Sequence, residues 1–213
     1  MTDRREMLID RYLPRFDVTL VEHLVVDADL ATTWAALQDL DLMQVHTPLM
    51  DAAFAVRELP ERIAARAGRA RPPSPPPPEL KLSGDGPGLE GWLSLGDDPP
   101  REVAFGAIGR FWQPDIDWYD VSAMTPEAFG AFDEPGWGRL AANFSLRHYG
   151  DPRTLVSYEA RTTTPDAASA RRFGRYWMLV RPFVGHIMRA ALSALGEDAR
   201  RRQRLIGPGT PIR

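Results

Sequence analysis

The chain has 213 residues with 26 basic and 29 acidic side chains, for a formal net charge of −3. That balance offers no bulk electrostatic attraction to nucleic acid, so we expect no nucleic-acid partner. The absence of cysteine excludes disulfides, thiolate catalysis and cysteine-ligated metal sites. The charged segment 1–15 lacks the pattern of a signal peptide, and no stretch approaches about 18 apolar residues, so we expect a cytoplasmic protein without a membrane span.

The length and the 44% hydrophobic content are typical of one soluble domain, which we predict over 1–213. Alternating apolar residues from Phe16 to Val26 predict the first strand, with a charged residue, Glu22, as the exception. Asp29 has the character of an N-cap for a short helix through Leu37. A second short helix is predicted from Asp39 to Val45.

A proline-rich stretch, Arg71–Glu79, interrupts the regular patterns. Proline continues neither a helix nor a central strand, so this stretch is predicted to be extended and exposed. A stiff loop is the favoured interpretation, and a docking motif for an aromatic groove is the alternative. With the glycines that follow, 68–88 is predicted to be a flexible insertion.

Four runs after the insertion have the character of strands that form hairpins. Gly106 and Gly109 lie within the second of these runs, Glu102–Trp112, and glycine within a strand often marks a bulge or a close backbone approach. A shorter strand is predicted at 118–121, and Thr125-Pro126 opens a short helix. The four predicted strands are Leu89–Leu95, Glu102–Trp112, Trp137–Tyr149 and Leu155–Thr164.

A long apolar helix is predicted to begin near Asp166, and a frayed tail is predicted at about 203–213. Apolar residues recur at spacings of three and four along it, as on a helix that is buried over most of its length: Phe173, Trp177, Val180, Val184, Ile187, Met188, Ala191 and Leu195. The predicted fold class is therefore α+β, with a curved antiparallel sheet wrapped around one long C-terminal helix.

Three blocks of sequence resemble the START-like, or Bet v 1-like, superfamily of polyketide cyclase/dehydrase and lipid-transport proteins. They are Asp29–Leu37, similar to that group's D-x-x-x-x-W-x-x-L helix; Gly106–Trp112 with Phe129–Gly136; and Tyr158–Thr162 with Arg172–Trp177 and Arg181-Pro182. The last two blocks are similar to an uncharacterised bacterial branch. The resemblance implies the helix-grip fold and a cavity for a small hydrophobic molecule. Members include carriers, cyclases, dehydratases and ligand sensors, so the fold leaves the activity open.

Glu159 and Arg161 are two residues apart on a predicted strand and therefore share a face. Alternation places Val156 and Tyr158 inward and the charged pair outward, as a solvated pair of small energetic value. The alternative places the pair in the cavity, where it would orient a ligand carbonyl or transfer protons.

Arg181 precedes Pro182 within the long helix. Proline removes a backbone hydrogen bond near Met178, so a kink is predicted there. The kink either improves packing or lets Arg181 reach a ligand carboxylate or enolate at the mouth of the cavity.

Aromatic side chains such as Trp112 and Tyr119 are suited both to core packing and to lining a pocket. The hydroxyls of Tyr119 and Tyr158 are the first candidate donors to a ligand. The four histidines lack ligand-like spacing, so neither a metal nor a cofactor is predicted. The predicted ligand-binding residues are Trp112, Tyr119, Phe144, Trp177, Val180, Arg181, Val184 and Met188.

Three functions remain open from the sequence. The favoured one is a binding protein or carrier for a small aromatic, polyketide-like or acyl ligand. The second is a cyclase or dehydratase in which Arg161 or Arg181 stabilises an enolate and Glu159 or Tyr158 moves protons. The third is an interaction module with a collapsed cavity that docks through Arg71–Glu79. An exposed edge strand would also be able to support a homodimer.

Overall fold

A computed structural model describes residues 6–41 and 91–206 of the chain. The described residues form four helices, α1 Leu8–Tyr12, α2 Leu30–Gln38, α3 Pro126–Ala131 and α4 Ala167–Ile206. Five strands, β1 Val18–Val26, β2 Trp92–Asp98, β3 Glu102–Gly109, β4 Gly138–His148 and β5 Thr154–Thr163, pair antiparallel in the order β1-β5-β4-β3-β2. This arrangement confirms the predicted α+β fold, a single antiparallel sheet with one long C-terminal helix.

The helix starts lie where capping chemistry predicts them. The Asp29 carboxylate accepts a hydrogen bond from the Thr32 backbone N–H at 2.7 Å, and Thr125 caps α3 in the same way. Asp166 accepts from the N–H groups of Ala168 and Ser169 at the start of α4. Hydrogen bonds from the Ser169 side chain and from the backbone N–H groups of Ser169 and Gly136 lower the pKa of the Asp166 carboxyl, because they favour its charged form.

α4 has 40 residues and is therefore about 60 Å long. It is one continuous helix through Pro182, and the kink predicted near that residue stays a prediction. Helical structure also continues to Ile206, past the start of the predicted frayed tail. The second predicted short helix lies mostly outside the described residues, and the proline-rich stretch and the insertion at 68–88 lie wholly outside them.

Side chains alternate between two faces of the sheet. One face, here called the α4 face, packs its apolar residues against α2 and α4, for example Phe144 and Val156 against Leu192 and Leu195. The opposite face, here called the α1 face, is covered by α1 and α3. The central part of the sheet is therefore buried on both faces, and the sheet lies between two helical layers.

The α1 layer was not predicted, because five residues give no periodic signal. Its N-terminus is held by the buried Glu102 carboxylate, which accepts from the backbone N–H groups of Leu8 at 2.7 Å and Ile9 at 3.2 Å. The Asn143 side chain donates to the same carboxylate at 2.6 Å. A negative charge at a helix N-terminus is stabilising, so Glu102 anchors this helix from β3.

Gly106 allows the α3 layer to approach the sheet. A Cβ at this position would lie 2.7 Å from the Phe129 ring, closer than van der Waals contact permits. The predicted close approach at this glycine is therefore confirmed. The register irregularity of the sheet lies instead in β2, between Ser94 and Gly96.

Candidate functional site

The two halves of α4 pack differently on the sheet. In the C-terminal half, Leu195 and Ala199 are completely buried, together with Val26 of β1 and Val156 of β5. We call this region the packed half. Gly196 lets the helix approach here, since a Cβ on it would lie 2.8 Å from the side chain of Leu24.

In the N-terminal half of α4, several apolar side chains are partly exposed although they belong to the same apolar stripe as the buried residues of the C-terminal half. Its inward residues Trp177, Val180 and Val184 are only partly buried. The nearby α4-face residues of the strands are partly exposed as well. We call the region formed by these residues the open half; its strand residues are Leu20, Trp92, Leu140, Tyr158 and Ala160.

Aromatic residues close one end of the open half. Phe173 is 3% exposed and contacts Phe111 and Trp112 edge-on, with ring centroids 6.4 and 6.5 Å apart. Trp177 stacks on Phe173 with the centroids 6.1 Å apart. This cluster fixes the first turns of α4 against the end of the sheet.

Tyr158 lies where the open half meets the packed half. Its ring stacks on that of Phe144, with centroids 4.1 Å apart and an interplanar angle of 21°. Burial raises the pKa of the Tyr158 hydroxyl, so the group stays protonated as a hydrogen-bond donor. Its hydroxyl makes no hydrogen bond to the residues that the structure describes. The ring is therefore held in place while the donor is unused within this part of the chain.

A charged pair lies beside Tyr158 on the same sheet face. Glu22 of β1 is directly opposite Tyr158 of β5, so their Cβ atoms are about 5 Å apart. The Glu22 carboxylate accepts from Arg189 of α4. Glu22 thus breaks the apolar alternation of β1 at the position that faces α4, which gives the open half a carboxylate and a guanidinium next to a neutral hydroxyl.

The structure brings together most of the residues predicted to line a pocket. Trp112, Trp177, Val180 and Val184 lie around the open half, and Phe144 and Met188 lie at its border, where they are 0% and 2% exposed.

Tyr119 is not among them. Its ring packs edge-on against Phe132 and Trp137, with centroids 4.9 and 5.1 Å apart, in the cluster on the α1 face of the sheet. The whole thickness of the sheet therefore separates Tyr119 from Tyr158.

Arg181 is exposed, whereas its helix neighbours Val180 and Val184 are partly buried. Helical periodicity places it about 100° around the axis from Val180. It is also four residues after Trp177 and three before Val184, so it lies within about 60° of both on the helix surface, and its predicted contact with a ligand at the mouth of the cavity stays a prediction.

Glu159 and Arg161 lie on the α1 face, away from α4, as the alternation predicted. The pair is not solvated, however, because Arg161 is only 9% exposed. Its guanidinium donates to Glu159 at 2.6 Å and to the Leu13 carbonyl at 3.2 Å, and it pairs with Asp10 at 2.8 Å. These contacts hold the C-terminal end of α1 against the sheet. Glu159 and Arg161 therefore stabilise the fold on the α1 face and do not contact the open half, which lies on the α4 face.

Sequence reasoning missed six residues in or beside the open half: Leu20, Trp92, Leu140, Ala160, Glu22 and Arg189. A usable signal existed for Glu22, since a single charge in an otherwise apolar alternation marks either a register change or a paired group. Among the described residues, no group of three or more His, Asp or Glu side chains is arranged to hold a metal ion. Within the same residues, no helix combines the length and apolar character that a bilayer crossing requires.

Comparison with known proteins finds similarity only at the level of structure. No protein-family model matches the chain, and no curated protein matches it either. The solved structures that match include the Zhui aromatase/cyclase from Streptomyces sp. R1128, which is 14% identical with a TM-score of 0.39, covering 90% of this chain and 99% of the other.

Two further matches have comparable scores. Norcoclaurine synthase from Thalictrum flavum is 9% identical with a TM-score of 0.40, covering 98% of this chain and 97% of the other. A Thermobifida fusca protein studied by NMR is 14% identical with a TM-score of 0.40, covering 87% and 95%. Within the described residues, the chain's own architecture of five antiparallel strands and one long C-terminal helix is the α+β fold that the sequence predicted.

Proposed function

We propose that the chain binds a small hydrophobic molecule, with an aromatic, polyketide-like or acyl body, in the open half. One observation carries this proposal. Trp177, Val180 and Val184 point into the sheet–helix interior and remain partly exposed, whereas Leu195, on the same stripe of the same helix, is completely buried. Apolar surface that faces inward without being covered is the material of a ligand pocket.

The driving force would be removal of apolar surface from water. Each Å² of apolar area that ligand and protein bury together contributes roughly 25 cal/mol. A ligand that covers about 200 Å² would thus gain about 5 kcal/mol before the cost of its lost freedom of motion. Taken alone, about 5 kcal/mol corresponds to a Kd of about 0.2 mM, so micromolar binding would require a larger buried area together with polar contacts.

The orientation of the ligand would come from Tyr158. Its neutral hydroxyl is available to donate to a carbonyl or hydroxyl oxygen, and its ring is fixed by Phe144. The carboxylate of Glu22 and the guanidinium of Arg189 would meet a second polar group at the same end of the ligand. The expected ligand is therefore apolar over most of its length and oxygenated at one end.

A fluorescence titration with the neutral probe N-phenyl-1-naphthylamine tests the proposal. We expect saturable binding of one probe per chain, and competition by ligands that carry a carbonyl. Tyr158→Phe should weaken binding of a carbonyl-bearing competitor about three- to tenfold, the value of one hydrogen bond, and leave the probe's own affinity unchanged. Tyr149→Phe is the matched control, because Tyr149 is 50% exposed. Lack of saturable probe binding to the wild type would refute the proposal.

A second candidate is a cyclase- or dehydratase-type reaction on a polyketide-like substrate. The observation that favours it is the juxtaposition of a protonated phenol, Tyr158, with a carboxylate, Glu22, on one face of the sheet. In this candidate Tyr158 would donate to a developing enolate oxygen while Glu22 accepted a proton. Glu22→Gln distinguishes the two functions, because a carrier should lose at most the affinity of one polar contact, about three- to tenfold, whereas an enzyme should lose turnover altogether.

A further inference from the structure

The outer side of the N-terminal half of α4 combines exposed apolar and cationic side chains. Met178 and Leu179 are adjacent in sequence and are 74% and 81% exposed. Arg171, Arg172 and Arg175 are exposed as well. At 3.6 residues per turn these five positions fall within about a third of the helix circumference. We call them the outer patch.

The charge of the outer patch is not neutralised by an ion pair with any of the residues in 6–41 or 91–206. From residue 167 to residue 196 the helix contains five arginines and no Asp or Glu, although the whole chain has a net charge of −3. The three arginines of the patch form no ion pair with any residue that the structure describes. At the other end of α4, by contrast, Arg201 pairs with Asp198, and Arg202 pairs with Asp39 and Asp198.

We propose that the outer patch docks the chain on an anionic lipid surface. Met178 and Leu179 would enter the boundary between headgroups and acyl chains, while the guanidinium groups contact lipid phosphates. Planar guanidinium groups are well suited to bidentate hydrogen bonds with phosphate oxygens.

Other occupants fit the patch less well. An acidic peptide would satisfy the arginines and leave Met178 and Leu179 in water, whereas a lipid surface satisfies both kinds of side chain. The chain's own segment 42–90 carries six acidic and six basic residues, so it has no net charge to offer. The acidic residues of this segment are Asp51, Glu58, Glu61, Glu79, Asp85 and Glu90, and the basic residues are Arg57, Arg62, Arg66, Arg69, Arg71 and Lys81.

The proposal is independent of the function of the open half, since the outer patch lies on the opposite side of α4. Sedimentation of the full chain with phosphatidylcholine vesicles, with and without phosphatidylglycerol, tests it at low and high salt. We expect binding only when phosphatidylglycerol is present, and weaker binding as salt screens the charges.

Two variants locate the contact. Met178→Ser combined with Leu179→Ser should lower the vesicle partition coefficient about tenfold through the loss of inserted apolar area. The matched control changes Leu205 and Ile206 to Ser on the same helix, where they are 83% and 65% exposed. This control should bind as the wild type does.

Charge variants complete the test. Replacing Arg171, Arg172 and Arg175 by Gln should lower partitioning about 100-fold, since each cation near an anionic membrane contributes about fivefold. All of these side chains are exposed, so circular dichroism should show an unchanged fold. No sedimentation of the wild type with anionic vesicles, or equal loss in the Leu205 and Ile206 control, would overturn the proposal. Binding of a polyglutamate peptide without vesicle binding would overturn it in favour of an acidic protein partner.

Discussion

The packed and open halves of α4 share one hydrophobic stripe and one sheet face but differ in how completely they are buried. Leu195 is fully buried, whereas Val184, three turns earlier, is partly exposed. Gly196 and Gly185 both bring the helix close to β1, so the difference does not come from the absence of small residues. It arises from what faces the helix: aliphatic residues Leu24 and Val26 in one half, and the polar pair of Glu22 and Tyr158 at the start of the other. A single amphipathic helix can thus supply both a core and a candidate binding wall.

The largest expected effects come from leucine truncation in the two halves. Leu195→Ala should lower the free energy of unfolding by about 3 kcal/mol, because it leaves a void in a closed core. Leu20→Ala in the open half should cost about 1 kcal/mol or less, because the side chain is already partly hydrated. Chemical denaturation of both variants measures the contrast, and equal losses would mean that the two halves are packed alike.

The ion pairs on the two faces of the sheet should differ in how much they contribute to the free energy of unfolding. Arg161→Met should cost about 3 kcal/mol, since it leaves the partly buried Glu159 and the Leu13 carbonyl without their donor. Arg189→Met removes an exposed partner of Glu22 and should cost under about 1 kcal/mol. Hydrogen exchange of the α1 amides should accelerate only in the first variant. Unchanged exchange there would contradict the anchoring role of Arg161.

A larger side chain should destabilise the packed half more than the open half. Ala191→Trp overfills the packed half, where Ala191 is 1% exposed, and should lower the free energy of unfolding by about 2 kcal/mol or more. Val184→Trp should change stability by less than about 1 kcal/mol, because the indole enters the space proposed for the ligand. It should also weaken probe binding at least tenfold. A Val184→Trp variant that binds the probe normally would place the ligand elsewhere.

The smallest expected effect is a pH dependence. Burial raises the folded-state pKa of Tyr158 above its ordinary value near 10, so the folded chain keeps this proton after the unfolded chain releases it. Its contribution to stability is therefore complete below about pH 10 and is lost as the pH rises above that value. Comparison of the wild type with Tyr158→Phe in alkaline denaturation isolates this group. The absence of any Tyr158-dependent loss of stability above about pH 10 would show that the hydroxyl titrates normally.

The sequence predicted the regular parts of the fold because those parts depend on local patterns. The alternation of β1 and β5, the cap at Asp29 and the stripe from Phe173 to Leu195 are each readable within about 25 residues. The short helix α1 was not readable, since its stability comes from Glu102 and Arg161, more than 90 residues away in the chain.

The candidate site was predictable only in part for the same reason. A stripe pattern shows that Val184 and Leu195 point the same way but not which of them is covered, because covering depends on the opposite strand. The placement of Tyr119 failed for a related reason, since an isolated bridge between Gly109 and Trp118 sets its direction instead of a regular strand. The sequence showed correctly that Glu22 interrupts the apolar alternation of β1. That this carboxylate lies opposite Tyr158 and pairs with Arg189 follows only from the structure.

Native mass spectrometry of the full chain, incubated with N-phenyl-1-naphthylamine, tests the central claim most directly. We predict a complex of one probe per chain for the wild type and for the exposed control Tyr149→Phe, and a strongly reduced complex for Val184→Trp. A wild type that binds no probe, or a Val184→Trp variant that binds as well as the wild type, would contradict the claim that the open half of α4 is the ligand site.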